Sequence, residues 1–505
     1  MIPMTRPKKD IGKRVVHSSA WLYGRRLVSS FFNLFVVALL ARKLSPADFG
    51  LVALAGVTLK LMTSVGPVGV GSYIIYDREE GREDRVHAAF WLNVTLTLAI
   101  TGLAFALVPL VARYYATREL GPALYLLLVQ FAVGQLAGVP DALIQKGLDF
   151  KKIVLRETVL DIVNGTAMVG MALTGYGVWS LIVPSVLLTP LRVALAFKLA
   201  GWLPTLPLRR SSWPQIFRYS FHSAGSSLVN FLANEGDSLI IGKKLGAADL
   251  GFYNRAWASA NMVGSNVTSV VSNVAMPALS AVSEDTARLR AALNRMLRML
   301  ALASFPLLIG LLIVADLFVL TLYGPKWQPS ILPLQILIVF ALRQTVGSPS
   351  AVIYNVIGRP DIGFKMGLIF LPFYLLSIWS GSFYGIVGVA LGVTFARTAF
   401  GMVQFAIVAR LVKQTLWQLV TPMAQPLLAA CMLGVLVGLC RMGLGQFAIP
   451  APAELAILTC IGGAAWVIIL GKLFPILLEE ALDVFDYFPK AMSVGVRRLL
   501  KPVMA

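Results

Sequence analysis

Apolar residues run in long blocks separated by short polar turns, among them 86–111, 123–144, 181–200, 300–323 and 453–470. A helix rises 1.5 Å per residue, so about 20 such residues cross the roughly 30 Å of hydrocarbon in a bilayer. Counting the blocks predicts about 14 transmembrane helices, an all-α polytopic membrane protein. Several spans carry a polar side. The first, near 18–41, places Arg26, Ser29, Ser30 and Asn33 at three- and four-residue spacing, which is one face of a helix. The seventh has the clearest stripe, Ser223, Ser227, Asn230, Asn234 and Asp237, and the eighth follows with Asn254, Asn261, Ser265, Thr268 and Ser272. Those faces look onto something other than lipid.

The pattern also returns. Sliding the chain by 201 residues matches Ser19, Gly24, Leu27, Val28, Asn33, Lys43, Leu44, Ala47, Asp48, Gly50, Ala55 and Ser64 to identical residues between Ser220 and Ser265. Twelve matches in 46 positions, against roughly 3 to 4 by chance, mark an internal repeat. Its centre, Ser45-Pro46-Ala47-Asp48, has the chemistry of a helix start, with Ser45 as N-cap, Pro46 first in the helix and Asp48 at the third position. Six spans separate the copies, so both cross the membrane in the same direction. Two pseudo-symmetric six-helix lobes, 1–200 and 219–412, are then related by an axis along the membrane normal. A basic linker (201–218) joins them, two further helices follow (413–472), and an amphipathic tail closes the chain (473–505).

Composition agrees: 57% of the 505 residues are apolar, 13% are charged and the mean hydropathy is +0.77, whereas soluble domains carry about 25% charged residues. The net charge of +20 does not point to nucleic acid, because its distribution follows the membrane. Alternating the loops from a cytoplasmic N-terminus puts 29 of the 44 lysines and arginines inside and 8 outside, the rest lying in or beside helices. That is the positive-inside bias, with both termini cytoplasmic. The basic leader Arg6–Arg14 is expected to belong to an uncleaved anchor. Cys431, Cys440 and Cys460 all fall in the last spans and are expected to be small apolar residues. His17, His87 and His222 lack metal spacing, and neither a nucleotide-binding lysine loop nor a nucleophile elbow is present, so the expectation is no enzyme, no metal and no cofactor.

Chemistry enters through cations inside the spans. Lys60, Arg255, Arg343 and Arg397 have no carboxylate three or four residues away. Leaving all four to lipid would cost on the order of 10 to 14 kcal/mol. Turning them into a wet cavity with the polar faces is cheaper, and a cavity with surplus cations suits an anion. The expected cavity residues are Arg25, Arg26, Asn33, Lys60, Asn230, Asn234, Arg255, Arg343 and Arg397. Arg25, Arg26 and Arg192 have the alternative of reaching the inner headgroups, and Arg255 that of the outer interface. Glu235 and Asp237 are candidates for ion coupling, with pairing to a nearby base as the other reading.

Arg42-Lys43-Leu44-Ser45-Pro46-Ala47-Asp48-Phe49-Gly50, Val68-Gly69-Val70-Gly71-Ser72, Asp237–Gly246 and Met276-Pro277-Ala278-Leu279-Ser280 together resemble the bacterial polysaccharide flippases of the WzxC type. These form the polysaccharide transporter branch of the multidrug/oligosaccharidyl-lipid/polysaccharide exporter superfamily. The resemblance implies alternating access and transfer of an undecaprenyl-pyrophosphate-linked oligosaccharide across the bacterial cytoplasmic (inner) membrane. It also implies membrane lipids, a polysaccharide polymerase and chain-length or export proteins as partners, and no nucleic acid. The competing expectations are a drug or cation antiporter of the same superfamily, with a more acidic and aromatic cavity, and a membrane-embedded polymerase or ligase, which would need a large outer loop.

Overall fold

The computed structural model describes residues 29–65, 74, 83–117, 119–147, 149–205, 213–283, 285–447 and 449–485, and among them there is no strand. Residues 29–43 (α1) are helical. Seventeen further helices follow: α2 (Pro46–Val65), α3 (Glu83–Tyr115), α4 (Leu120–Gly134), α5 (Gly138–Lys146), α6 (Phe150–Leu173), α7 (Trp179–Ala200), α8 (Trp213–Lys244), α9 (Ala247–Ala281), α10 (Thr286–Ile313), α11 (Ala315–Leu322), α12 (Ile331–Gly347), α13 (Pro349–Val356), α14 (Pro360–Gly381), α15 (Gly385–Leu411), α16 (Leu416–Leu444), α17 (Ala451–Leu473) and α18 (Pro475–Phe485). Eight stretches of the described residues are long and apolar enough to cross a membrane, and the Asp361–Leu411 stretch holds two helices, α14 and α15. Among the long helices outside those eight are α6, α8 and α9, whose sequences contain more charged or polar residues. The chain is therefore an all-helical, multi-pass membrane protein, while fourteen remains the expectation from counting apolar blocks.

Helix starts follow local chemistry. Ser45 and Asp48 cap α2 reciprocally: the Asp48 amide donates to Ser45 Oγ at 3.2 Å and the Ser45 amide to Asp48 Oδ2 at 2.8 Å. Asp285 accepts from the Ala287 and Arg288 amides at the start of α10. Thr415 and Gln418 form a second capping box at α16. Proline inside α7, α10 and α16 is tolerated because neighbouring helices and side chains re-satisfy freed backbone groups in the bilayer.

Helices sort by packing into two units, Met1–Gly251 and Phe252–Ala505. In the first, α3 packs on α4, α4 and α6 pack on α7, and α2 packs on α4 and α8. Gly165 of α6 leaves room for α1, since a Cβ there would lie 2.7 Å from the Phe32 ring. After Gly201 ends α7 in a left-handed turn, the chain returns to α3. Trp202 stacks on His87, and the Thr205 amide donates to His87 Nδ1 at 3.1 Å. In the second unit α10 packs on α12 and α16, α15 packs on α12 and α14, and α16 packs on α17. The α14–α15 hairpin is closed backbone to backbone, because a Cβ on Gly381 would lie 2.3 Å from the Gly388 carbonyl oxygen and one on Gly388 2.1 Å from that of Gly381.

Candidate functional site

The repeated turn organises the first unit by packing against its own copy. A Cβ built on Gly50 would lie 1.6 Å from the Ala247 carbonyl oxygen, and one on Gly251 would lie 2.0 Å from that of Pro46. Residue 247 is the counterpart of 46, and 251 of 50, so each copy offers the other the same patch, as a two-fold pair does. Further along, a Cβ on Gly242 would lie 2.3 Å from Leu54 Cδ2, and Lys60 Nζ meets Glu235 Oε1 at 2.6 Å. These contacts step down α2 (50, 54, 60) as they step back from 247, at the start of α9, to 242 and 235 of α8, so α2 and α8 run antiparallel.

Lys60 and Glu235 thus share one ion pair, with side chains 60% and 16% exposed. Beside it α8 presents Asn230 and Asn234, both exposed, the Asn234 amide donating to the Asn230 carbonyl at 2.8 Å. Asn33 is exposed on α1. Asp237 turns inward instead: it is buried, and its Oδ1 accepts from the Ser238 amide at 2.8 Å. Arg25 and Arg26 lie outside the described residues.

The second unit brings two expected arginines into one neighbourhood. Arg343 of α12 lies across α15 where glycine leaves a groove, since a Cβ on Gly401 would sit 1.6 Å from Arg343 Cζ and one on Gly347 3.1 Å from its Nη2. Its Nη2 donates to Gln404 at 3.4 Å, and its Nε is buried with no partner among the described residues. Arg397, one turn before Gly401, is boxed by aromatic rings: its Cζ lies 4.8 Å from the centre of Tyr374, 5.4 Å from Phe340 and 5.5 Å from Trp257. It also donates to the Tyr374 hydroxyl at 3.1 Å. Arg397 is the like charge that bears on Arg343. Arg255 keeps other company, close to Tyr323, whose hydroxyl shares a 2.9 Å hydrogen bond with Ser259.

Two charge clusters went unread in the sequence. In the first unit, buried Arg156 grips Asp141 through both terminal nitrogens (2.7 and 3.0 Å) and Glu157 through Nε, and Arg192 completes the group on Glu157 at 3.1 Å. In the second, Arg441 of α16 pairs with Asp316 of α11 and donates to the Ile313 carbonyl at 2.6 Å. The available signal was that Asp141 and Arg156 flank a short turn and that Asp316 interrupts an apolar block.

Eight helical stretches of the described residues, long and apolar enough to cross a bilayer and with arginines set among them, define a multi-pass membrane protein. The chain belongs to the polysaccharide biosynthesis protein family, whose profile matches residues 39–332, more than half of its length. It is 26% identical over 393 residues to the lipopolysaccharide biosynthesis protein WzxC of Escherichia coli (strain K12), covering 76% of this chain and 78% of the relative. It is 24% identical over 414 residues to the teichuronic acid biosynthesis protein TuaB of Bacillus subtilis (strain 168), covering 81% and 85%. Among solved structures, the lipid II flippase MurJ in an inward closed conformation superposes with a TM-score of 0.74 at 15% identity, over 90% of this chain and 99% of that one. At that identity the likeness is one of fold.

Proposed function

We propose that the protein is a flippase that moves an undecaprenyl-pyrophosphate-linked oligosaccharide from the inner to the outer leaflet of the bacterial cytoplasmic membrane by alternating access, without making or breaking bonds in its cargo. Family membership and relatives named for lipopolysaccharide and teichuronic acid biosynthesis support the class of cargo. A further relative, ExoT of Rhizobium meliloti (strain 1021), is named as a succinoglycan biosynthesis transport protein. In this reading both termini are cytoplasmic, the lobes 1–200 and 219–412 do the rocking, and the lipid tail stays in the bilayer.

The observation that carries the reading is that Arg343 and Arg397, two guanidiniums on neighbouring membrane helices, are held in one neighbourhood, Arg343 in a glycine groove of α15 one turn from Arg397. Two cations together repel, and a pyrophosphate bearing at least two negative charges relieves that repulsion where a neutral sugar would not. The exposed amides of Asn230 and Asn234 are suited to sugar hydroxyls. A drug or cation antiporter fits less well, because the aromatic faces of Trp257, Phe340 and Tyr374 are already turned to Arg397. The test is accumulation of lipid-linked intermediate on the inner leaflet after deletion of the gene, complemented with R343Q and R397Q. Both variants are expected to reach the membrane and to restore export poorly. Full export by both would remove the anion site, and normal export in the deletion would remove the flippase reading.

A further inference from the structure

We propose that Glu235 is a resident counterion that Lys60 exchanges for a phosphate anion of the cargo, and that this exchange unfastens α2 from α8. The inference rests on the flippase reading above and assigns Glu235 a role of its own. Three observations carry it. The pair lies on the antiparallel seam of α2 and α8, where Leu54 packs on Gly242 and, at the start of α9, Gly50 packs on Ala247, so it is the step of that seam held by opposite charges. It sits ten residues from Gly50, about 15 Å down the helix. Its lysine side chain is 60% exposed and open to an incoming anion, while its carboxylate side chain is only 16% exposed.

Magnitude favours exchange over a permanent clamp. Exposed ion pairs are worth so little that breaking one shifts an equilibrium only about two- to fivefold. A phosphate with two charges and several acceptor oxygens outcompetes one carboxylate for an ammonium. Once displaced, Glu235 loses its cation and faces an anion, and like-charge repulsion across the seam then favours separation.

The seam can be read by a disulfide. Replacing Leu54 and Gly242 with cysteine (L54C/G242C) puts two thiols where the Leu54 side chain now packs over Gly242, in a full-length chain from which Cys431, Cys440 and Cys460 have been replaced by alanine. In proteoliposomes this pair is expected to cross-link readily without ligand, and inorganic pyrophosphate is expected to lower the yield about two- to fivefold. E235Q and K60Q should show the low yield with no pyrophosphate present. The charge-swapped K60E/E235K should recover the high yield, which a merely misfolded single variant would not explain. Cross-linking in E235Q equal to that of the parent, or no response of the parent to pyrophosphate, overturns the exchange. Either result leaves the flippase reading standing as long as deletion still strands lipid-linked intermediate on the inner leaflet.

Discussion

At the scale of single residues, the chemistry turns on what lies beside each buried cation. Arg343 keeps its orientation because position 401 has no side chain: an alanine methyl would occupy the guanidinium's place, 1.6 Å from Cζ. G401A is therefore expected to act as an arginine variant in disguise. A charge-assisted hydrogen bond is worth about 1.5–3 kcal/mol, so displacing Arg343 should weaken anion binding about ten- to a hundredfold. Pyrophosphate titration of purified G401A and R343Q checks this, and equal affinity of G401A and the parent would refute it. Arg343 and Arg397 were legible in the sequence, since a base in an apolar run with no carboxylate three or four residues away is costly wherever it points. Their surroundings were not. Trp257, Phe340 and Tyr374 come from three other stretches of chain, and α15 is apolar nearly all round, so periodicity does not fix how it is rotated about its axis.

Elements were easier to foresee where local chemistry decides them. The Ser45 cap and Pro46 at the first helical position both follow from neighbours in sequence. The Lys60–Glu235 pair spans 175 residues, and only the offset of 201 hinted that α2 and the second copy were related. That offset has a consequence for energetics. Because Gly50 meets Ala247 and Gly251 meets Pro46 in one reciprocal crossing, a methyl at either glycine forces the same separation of backbones. Overpacking of this kind typically costs about 1–3 kcal/mol. G50A and G251A are each expected to lower the thermal midpoint of the detergent-solubilised protein. The double variant should be little worse than either single one, because one displacement relieves both collisions. Full additivity, followed by tryptophan fluorescence on heating, would mean that the crossing is not one contact.

For the whole molecule, the last two long helices each lay one face on the second unit and leave the rest exposed. Leu419, Met423 and Ala430 of α16 share a buried cluster with Leu293, Leu297 and Leu300 of α10. Leu433 and Val437 of α16 join Leu458 and Ala465 of α17 against Leu317 of α11. In lipid such packing lacks the hydrophobic drive it has in water, so polar contacts at the ends gain weight. At one end Arg441 of α16 holds Asp316 of α11, and at the other Arg298 of α10 holds Glu480 of α18 at 2.7 Å. Removing one member of such a pair is worse than removing both, because the survivor keeps its charge without its partner. An ionised aspartate costs up to about 3 kcal/mol at the membrane centre and less near the interface. R441Q should thus destabilise the full chain by about 1–3 kcal/mol, and D316N/R441Q should recover most of that loss, since the two neutral amides it introduces can still bond each other. The measurement is thermal unfolding of parent, R441Q and the double variant in the same bilayer mimetic. If the double variant is the least stable of the three, the pair is a net source of stability and α16 is anchored by charge.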